Sequence, residues 1–364
     1  MSSPDPLLTV LREPGRMTLL STAEWDRLLR MARAHRLLAK LGELARGEGI
    51  ECRLPHRALD NIRAAQVWVD HFQLRIRREL REVRRAIGSP IPLVLLKGAA
   101  YMMAGLPPAA GRSFADLDLL VRFEDLQTVE QAMLETGWHS QVENEYDQRY
   151  YRQWMHEIPP LVHPLRGVEV DVHHNLLPSV GRFRPAAKAL WERATPLESN
   201  GLFVLSPEDM VLHSAVHLVV SDELRGGLRD LFDIHQLYCH FFRRDRGFPA
   251  VLLERARSLG LAKPLFYVLQ ASHELLHTPY EAELLDYRNF GLRNPFQRVL
   301  MCHLVKEVLR PRPPEAAPPS FRRWLLYVRS HWIRMPPGLL LGHLTRKSVR
   351  RIRERVEEKG GGIP

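Results

Sequence analysis

At 364 residues, 45% hydrophobic and 26% charged, the chain has ordinary globular composition and enough length for two or three packed units. Its net charge of +10 points towards partners that carry phosphate, whether nucleotide, nucleic acid or phospholipid head group. The three cysteines, Cys52, Cys239 and Cys302, lie far apart without metal-ligand spacing and argue against a disulfide framework. No apolar run nears the ~20 residues of a membrane span, and the first residues lack an apolar signal core. A soluble, cytoplasmic protein is the expectation.

Residues 18 to 90 read as helices. Ser21 stands three residues before Glu24, the spacing of a capping box. Leu28, Leu29, Met31 and Ala32 follow at helical spacing, as do Leu37, Leu38, Leu41 and Leu44. A third helix is predicted from about Pro55 to Ile87, its arginines interleaved with Glu79 and Glu82 as on a solvated face. Leu93-Val94-Leu95-Leu96 has the character of a strand buried on both faces. It stops at Lys97-Gly98, where a glycine suits a tight turn and the close approach of a ligand to backbone. Ala99 to Ala104 has room for one or two helical turns before Gly105-Leu106-Pro107-Pro108 interrupts them.

A second strand, from near Ala115, puts Asp116 and Asp118 on one face, roughly 6.5 Å apart. Carboxylates that close repel each other unless a cation sits between them. Glu124 to Thr136 reads as a helix closed by Gly137, and Trp138 to Glu145 and Arg149 to Met155 read as strands of a meander. Gly167 to His174 alternates strictly, with Val168, Val170 and Val172 on one face and Glu169, Asp171 and His173 on the other. Such a polar face needs water or a site.

Phe203-Val204-Leu205 reads as a short strand, and Ser206-Pro207-Glu208-Asp209 opens a helix. Apolar periodicity continues to Leu237, with further helices over 248–259, 262–276 and 295–309. Pro311 to Pro319 is a stiff linker, Phe321 to Ile333 is aromatic and basic, and Leu339 to Val356 reads as a basic amphipathic helix. The expected organisation is a helical segment over 1–90 and an α+β core over 91–205. A helical domain over 206–310 and a linker with basic helices over 311–364 complete it.

Lys97-Gly98, Arg112-Ser113, Asp116-x-Asp118 and the later Asp171 resemble, in that order, the nucleotidyltransferase superfamily typified by DNA polymerase β. The pattern is closer still to a bacterial group of uncharacterised nucleotidyltransferases with K-G…R-x-x-x-D-x-D, and abortive-infection nucleotidyltransferase toxins show a related one. The likeness covers about residues 90 to 175. It implies an α+β fold with a small mixed sheet, and a divalent metal, Mg²⁺ or Mn²⁺, held by Asp116, Asp118 and Asp171 as the catalytic carboxylates. It also implies a nucleoside triphosphate whose phosphates meet Lys97, Gly98, Ala99, Arg112 and Ser113. Ala99 stands where the family more often has serine or glycine.

The implied activity is transfer of a nucleoside monophosphate to an acceptor with release of pyrophosphate. A small molecule, a modified peptide or protein, or a tRNA end fits as acceptor, and the chain's charge favours one that bears phosphate. A non-catalytic nucleotide- or RNA-binding module that retains the fold is the alternative. Glu169 is the second choice for the third carboxylate. His173 and Asp233, the latter with Arg229, are further candidates for the cleft. His213 and His217 sit at i, i+4, a spacing that can bind zinc, although histidines packed between helices are the favoured reading.

Overall fold

A computed structural model describes residues 5–88, 90–197, 201–220, 224, 227–315, 320–336 and 338. Four helices lead the chain: α1 (Pro6–Arg12), α2 (Thr22–Ala34), α3 (Leu38–Gly47) and α4 (His56–Ile87). α2 opens with the expected capping box, in which the Glu24 carboxylate accepts from the Ser21 backbone N–H at 2.9 Å. α4 buries Ala58, Ile62, Val69, Ile76, Leu80 and Val83 along one stripe and leaves Arg77, Arg78, Arg81 and Arg85 exposed. Glu79 departs from the solvated face expected of it. It is buried, accepts from Trp138 Nε1 at 2.8 Å and pairs with Arg166 Nε at 2.6 Å, which ties α4 to the edge of the sheet.

Seven strands form one sheet in the order β3-β4-β5-β2-β1-β7-β6. They are β1 (Leu93–Leu95), β2 (Asp116–Leu120), β3 (His139–Ser140), β4 (Leu161–Val162), β5 (Glu169–His173), β6 (Thr195–Pro196) and β7 (Leu202–Val204). β2 runs parallel to β5 and β1 parallel to β7, while the other pairings are antiparallel, so the sheet is mixed. Leu93, Val94 and Leu95 are fully buried, as their uninterrupted apolar run requires.

Between the strands lie α5 (Lys97–Met103), α6 (Leu126–Glu135), α7 (Glu145–Trp154) and α8 (Ala187–Trp191). The meander strand expected over Arg149 to Met155 is instead α7. Asn144 caps this helix, its side chain accepting from the backbone of Tyr146 at 2.8 Å, and Tyr150 packs edge-on to Trp154 at 5.8 Å, an i, i+4 contact that a strand cannot make. The local aromatic content mimics a strand; the cap and the helical spacing prevail.

After the sheet come α9 (Pro207–Val220), α10 (Gly227–Arg244), α11 (Phe248–Ser258), α12 (Ala262–Leu276), α13 (Ala282–Leu285), α14 (Pro295–Leu309) and α15 (Ser320–Arg334). α9 is apolar nearly all round and buried, with α10, α11 and α12 packed on it. One apolar cluster runs from Leu7 to Ile333. The basic helix expected over 339–356 lies outside the described residues. Among the described residues no helix is long and apolar enough to cross a membrane.

Candidate active site

The sheet register brings the acidic residues together. On the parallel pair β2 and β5, Asp116 stands opposite Glu169 and Asp118 opposite Asp171. Because side chains alternate along a strand, all four carboxylates share one face, and His173 shares it two residues on. Asp118 is buried, Asp171 and Glu169 are half-buried, and His173 is buried, so the polar face of β5 is turned inward to a site rather than to water.

Asp118 is the pivot. Its Oδ1 accepts from Lys97 Nζ at 2.7 Å and lies 3.2 Å from His173 Nε2. Oδ2 makes no hydrogen bond among the described residues. Burial opposes ionisation of Asp118, but the Lys97 ammonium and the His173 hydrogen bond outweigh it and hold the carboxyl well below the usual range. Lys97 is correspondingly raised, its burial overcome by the Asp118 charge and then by Asp116 and Asp171.

Asp171 has less help, from the His173 charge alone among its main influences. Among the described residues it pairs with no lysine or arginine, and burial followed by the Asp118 charge pushes its carboxyl up to about 8. Glu169 is raised for the same reasons, by burial and by the charges of Asp116 and Asp118.

The Lys97-Gly98 step differs from its expected reading. The turn falls at Lys97, whose φ is +45°, a conformation costly for a residue with a Cβ. Gly98 serves packing: a Cβ there would come within 2.7 Å of Arg112 Nη1 and of the Phe114 ring. Glycine at 98 therefore lets Arg112 and Phe114 close over the start of α5. Ala99 is buried in the apolar core and does not line the cleft.

Arg112 occupies the far wall. It is buried, with Nε 2.6 Å from Asp233 Oδ2 and Nη2 3.5 Å from Asp230 Oδ1, and its guanidinium lies 5.7 Å from the Tyr101 ring and 5.9 Å from that of Phe114. Arg229 pairs with Asp230 at 2.8 Å and donates to the Ser113 carbonyl at 3.3 Å. Asp233 is thus a partner of Arg112, and Ser113 contributes its backbone to this wall. Buried Lys40 donates to the carbonyls of Pro107 and Pro108 at 3.2 and 3.1 Å, bracing the turn that leads to Arg112, and burial lowers its ammonium to about 8.

A cleft of about 210 Å³ lies between these walls, lined among others by Lys97, Arg112, Asp116, Asp118, His217 and Arg229. His217 is exposed into it, and the Lys97 charge followed by the cleft walls lowers its pKa. His213 is buried one turn away, the two rings 6.3 Å apart, and among the described residues no third ligand gathers around them.

Two triads of ligating side chains stand close enough to hold a metal ion: Asp118, Asp171 and His173, and beside it His156, Glu157 and His173. Asp116 is half-buried on the cleft side of the first triad. His156, Glu157, Tyr101 and Arg36 were not legible as site residues. Tyr101 alone left a trace, one helical turn after Lys97.

A carboxylate pair across two parallel strands, a lysine at the start of the helix after β1 and a cleft beside them fit phosphate chemistry. The family model described as uncharacterised nucleotidyltransferase matches residues 21–277. The chain belongs to that family. The match takes in α2 to α4, the whole sheet and the helices through α12, well beyond the motif segment, and makes this α+β fold a nucleotidyltransferase fold. A search of curated proteins and a search of solved structures each returned no match.

Proposed function

We propose that this nucleotidyltransferase uses a divalent metal, Mg²⁺ or Mn²⁺, to transfer a nucleoside monophosphate from a nucleoside triphosphate to an acceptor. The observation that carries the reading is the pairing of Asp118 with Asp171 across β2 and β5, one carboxyl held low and the other raised by burial and then by its neighbour's charge. The donor set fits a hard divalent cation: carboxylate oxygens on one sheet face, Asp118 Oδ2 without a hydrogen bond among the described residues, and Asp171 without a lysine or arginine ion pair among them. Asp116, Asp118 and Asp171 would hold the ion. Once bound, it supplies Lewis-acid stabilisation of charge at the α-phosphate and lowers the pKa of the attacking group.

The chain's own residues do the rest. Asp171 gives up its carboxyl proton when the site fills and can then take the proton of the acceptor hydroxyl. That oxygen attacks the α-phosphorus, the bond to the bridging oxygen breaks, and pyrophosphate leaves. Lys97, poised at the cleft on a short helix, carries the positive charge that the triphosphate needs. Arg36, exposed on the opposite rim, adds to it. Arg112 does not need to touch phosphate to matter: it holds α10 against the strand that carries Asp116 and Asp118.

Arg36 also lines a separate groove of about 430 Å³, together with Arg33, Trp68 and Phe72. The Trp68 and Phe72 rings are stacked with centroids 5.9 Å apart. An acceptor bearing a phosphate and a planar ring suits that lining. The test is incubation with Mg²⁺ and each labelled nucleoside triphosphate, alone and with small-molecule, protein and RNA fractions, following pyrophosphate and label. Label moving to one fraction supports the reading. Triphosphate binding that never yields pyrophosphate with any fraction would replace it with a binding module.

A further inference from the structure

The imidazole of His173 stands between two clusters and is used by only one of them. Nε2 serves Asp118 at 3.2 Å, while Nδ1 lies 3.2 Å from Glu157 Oε2. That second contact is close but does not have hydrogen-bond geometry, and Nδ1 is buried with no hydrogen-bond partner. His156 Nδ1 is buried and unpartnered in the same way. The His156 and His173 rings are 5.2 Å apart, and one ligating atom each from His156, Glu157 and His173 falls within a 4.8 Å span.

The backbone fixes this arrangement. Glu157 bridges to His173 in an antiparallel pair, Ile158 N–H donates to the Val172 carbonyl at 3.0 Å, and His174 N–H donates to the His156 carbonyl at 2.8 Å. Glu157 is in ion-pair range of both rings, 3.2 Å from His173 and 3.9 Å from His156, yet neither Nδ1 has a hydrogen-bond partner, so the three donor groups face a common point as ligands do.

We infer that His156, Glu157 and His173 form a second metal site, distinct from the carboxylate pair, for a borderline transition-metal dication such as Zn²⁺. Two imidazoles and one carboxylate are a zinc-type donor set, and a hard ion such as Mg²⁺ would prefer the oxygens of Asp118 and Asp171. Metal on Nδ1 leaves the proton on Nε2, where it donates to Asp118 Oδ1. The resulting carboxylate–histidine–metal chain orients the central carboxylate of the cleft. His156 and Glu157 are positioning residues in this scheme, and neither lines the cleft.

The test uses the full chain stripped of metal. Titration with Zn²⁺, and with Co²⁺ followed by its visible absorption, should show one tight equivalent in wild type. That binding should weaken at least tenfold in His156→Ala and in Glu157→Gln and be unchanged in Asp116→Asn, with circular dichroism confirming that each variant folds. X-ray absorption of the zinc form should show two nitrogen donors at about 2.0–2.1 Å. Absence of a tight equivalent, or equal affinity in wild type and both His156 and Glu157 variants, overturns the site. So does zinc that is lost only with Asp118→Asn, since the ion would then sit on the carboxylate pair. Zinc binding is read without turnover, so failure to find nucleotidyl transfer would leave this result standing.

Discussion

At one end of the cleft Arg112 and Arg229 face Asp233 and Asp230, two cations against two carboxylates, bonded to each other across the junction of β2 and α10. At the other end Asp116, Asp118, Asp171 and Glu169 crowd one sheet face, and Lys97 is the one lysine or arginine in ion-pair contact with them among the described residues. The first end pairs its cations with its carboxylates. At the second, burial and then the Asp118 charge raise the Asp171 carboxyl, where the proposed cation would sit, to about 8. Burial of charge is common to both; only the unbalanced end has the electrostatics of a working site.

That contrast is broken most severely by Asp118→Asn, which should lower nucleotidyl transfer on the order of a thousandfold with the fold retained by circular dichroism. Near-normal turnover would remove Asp118 from the chemistry. Arg112→Met attacks the closed end. It leaves Asp233 buried without its partner, and chemical denaturation should show a loss of about 3–5 kcal/mol. Adding Asp233→Leu should recover most of that loss, because the pair is removed together. A single variant as stable as wild type would mean that the closed end does not hold α10 in place.

Gly98→Ala tests how the two ends are joined. Its methyl meets Arg112 Nη1 and Phe114 at 2.7 Å, so a loss of about 1–3 kcal/mol is expected by thermal unfolding, with slower transfer as Lys97 shifts. The remaining effect has the opposite sign. Asp171 is raised to about 8 from a reference of 3.8, so its contribution to stability is complete below pH 4 and lost as pH rises to 8. Asp171→Asn abolishes that loss. The metal-free variant should be more stable than wild type at pH 8 and equal to it near pH 4, while being inactive. Indistinguishable pH–stability curves would show that Asp171 is not buried against Asp118 as described.

The open end was largely legible in the sequence. Period-two alternation placed Asp116 with Asp118 and Glu169, Asp171 and His173 on one face, and an apolar run ending in Lys97-Gly98 placed the lysine beside them. The closed end was not legible as a unit, because Arg112 and Asp233 meet across 121 residues and no local pattern encodes that distance. Gly98 was legible as special but for a different reason: the turn is carried by Lys97, and the glycine makes room for Arg112 and Phe114. His156 and Glu157 lie between α7 and β4, in a segment without periodicity, and acquire meaning only through pairing with the end of β5. The strand expected at Arg149 to Met155 failed where aromatic residues of high strand propensity were in fact spaced for one face of a capped helix.

The most direct test of the open end is calorimetric titration of the metal-free protein with Mg²⁺ at pH 7 in two buffers of different ionisation enthalpy. A cation that replaces the Asp171 proton should release close to one proton per ion, and the release should vanish in Asp171→Asn. Binding of Mg²⁺ without proton release, or release that survives in Asp171→Asn, would contradict a cation site built on the Asp118–Asp171 pair.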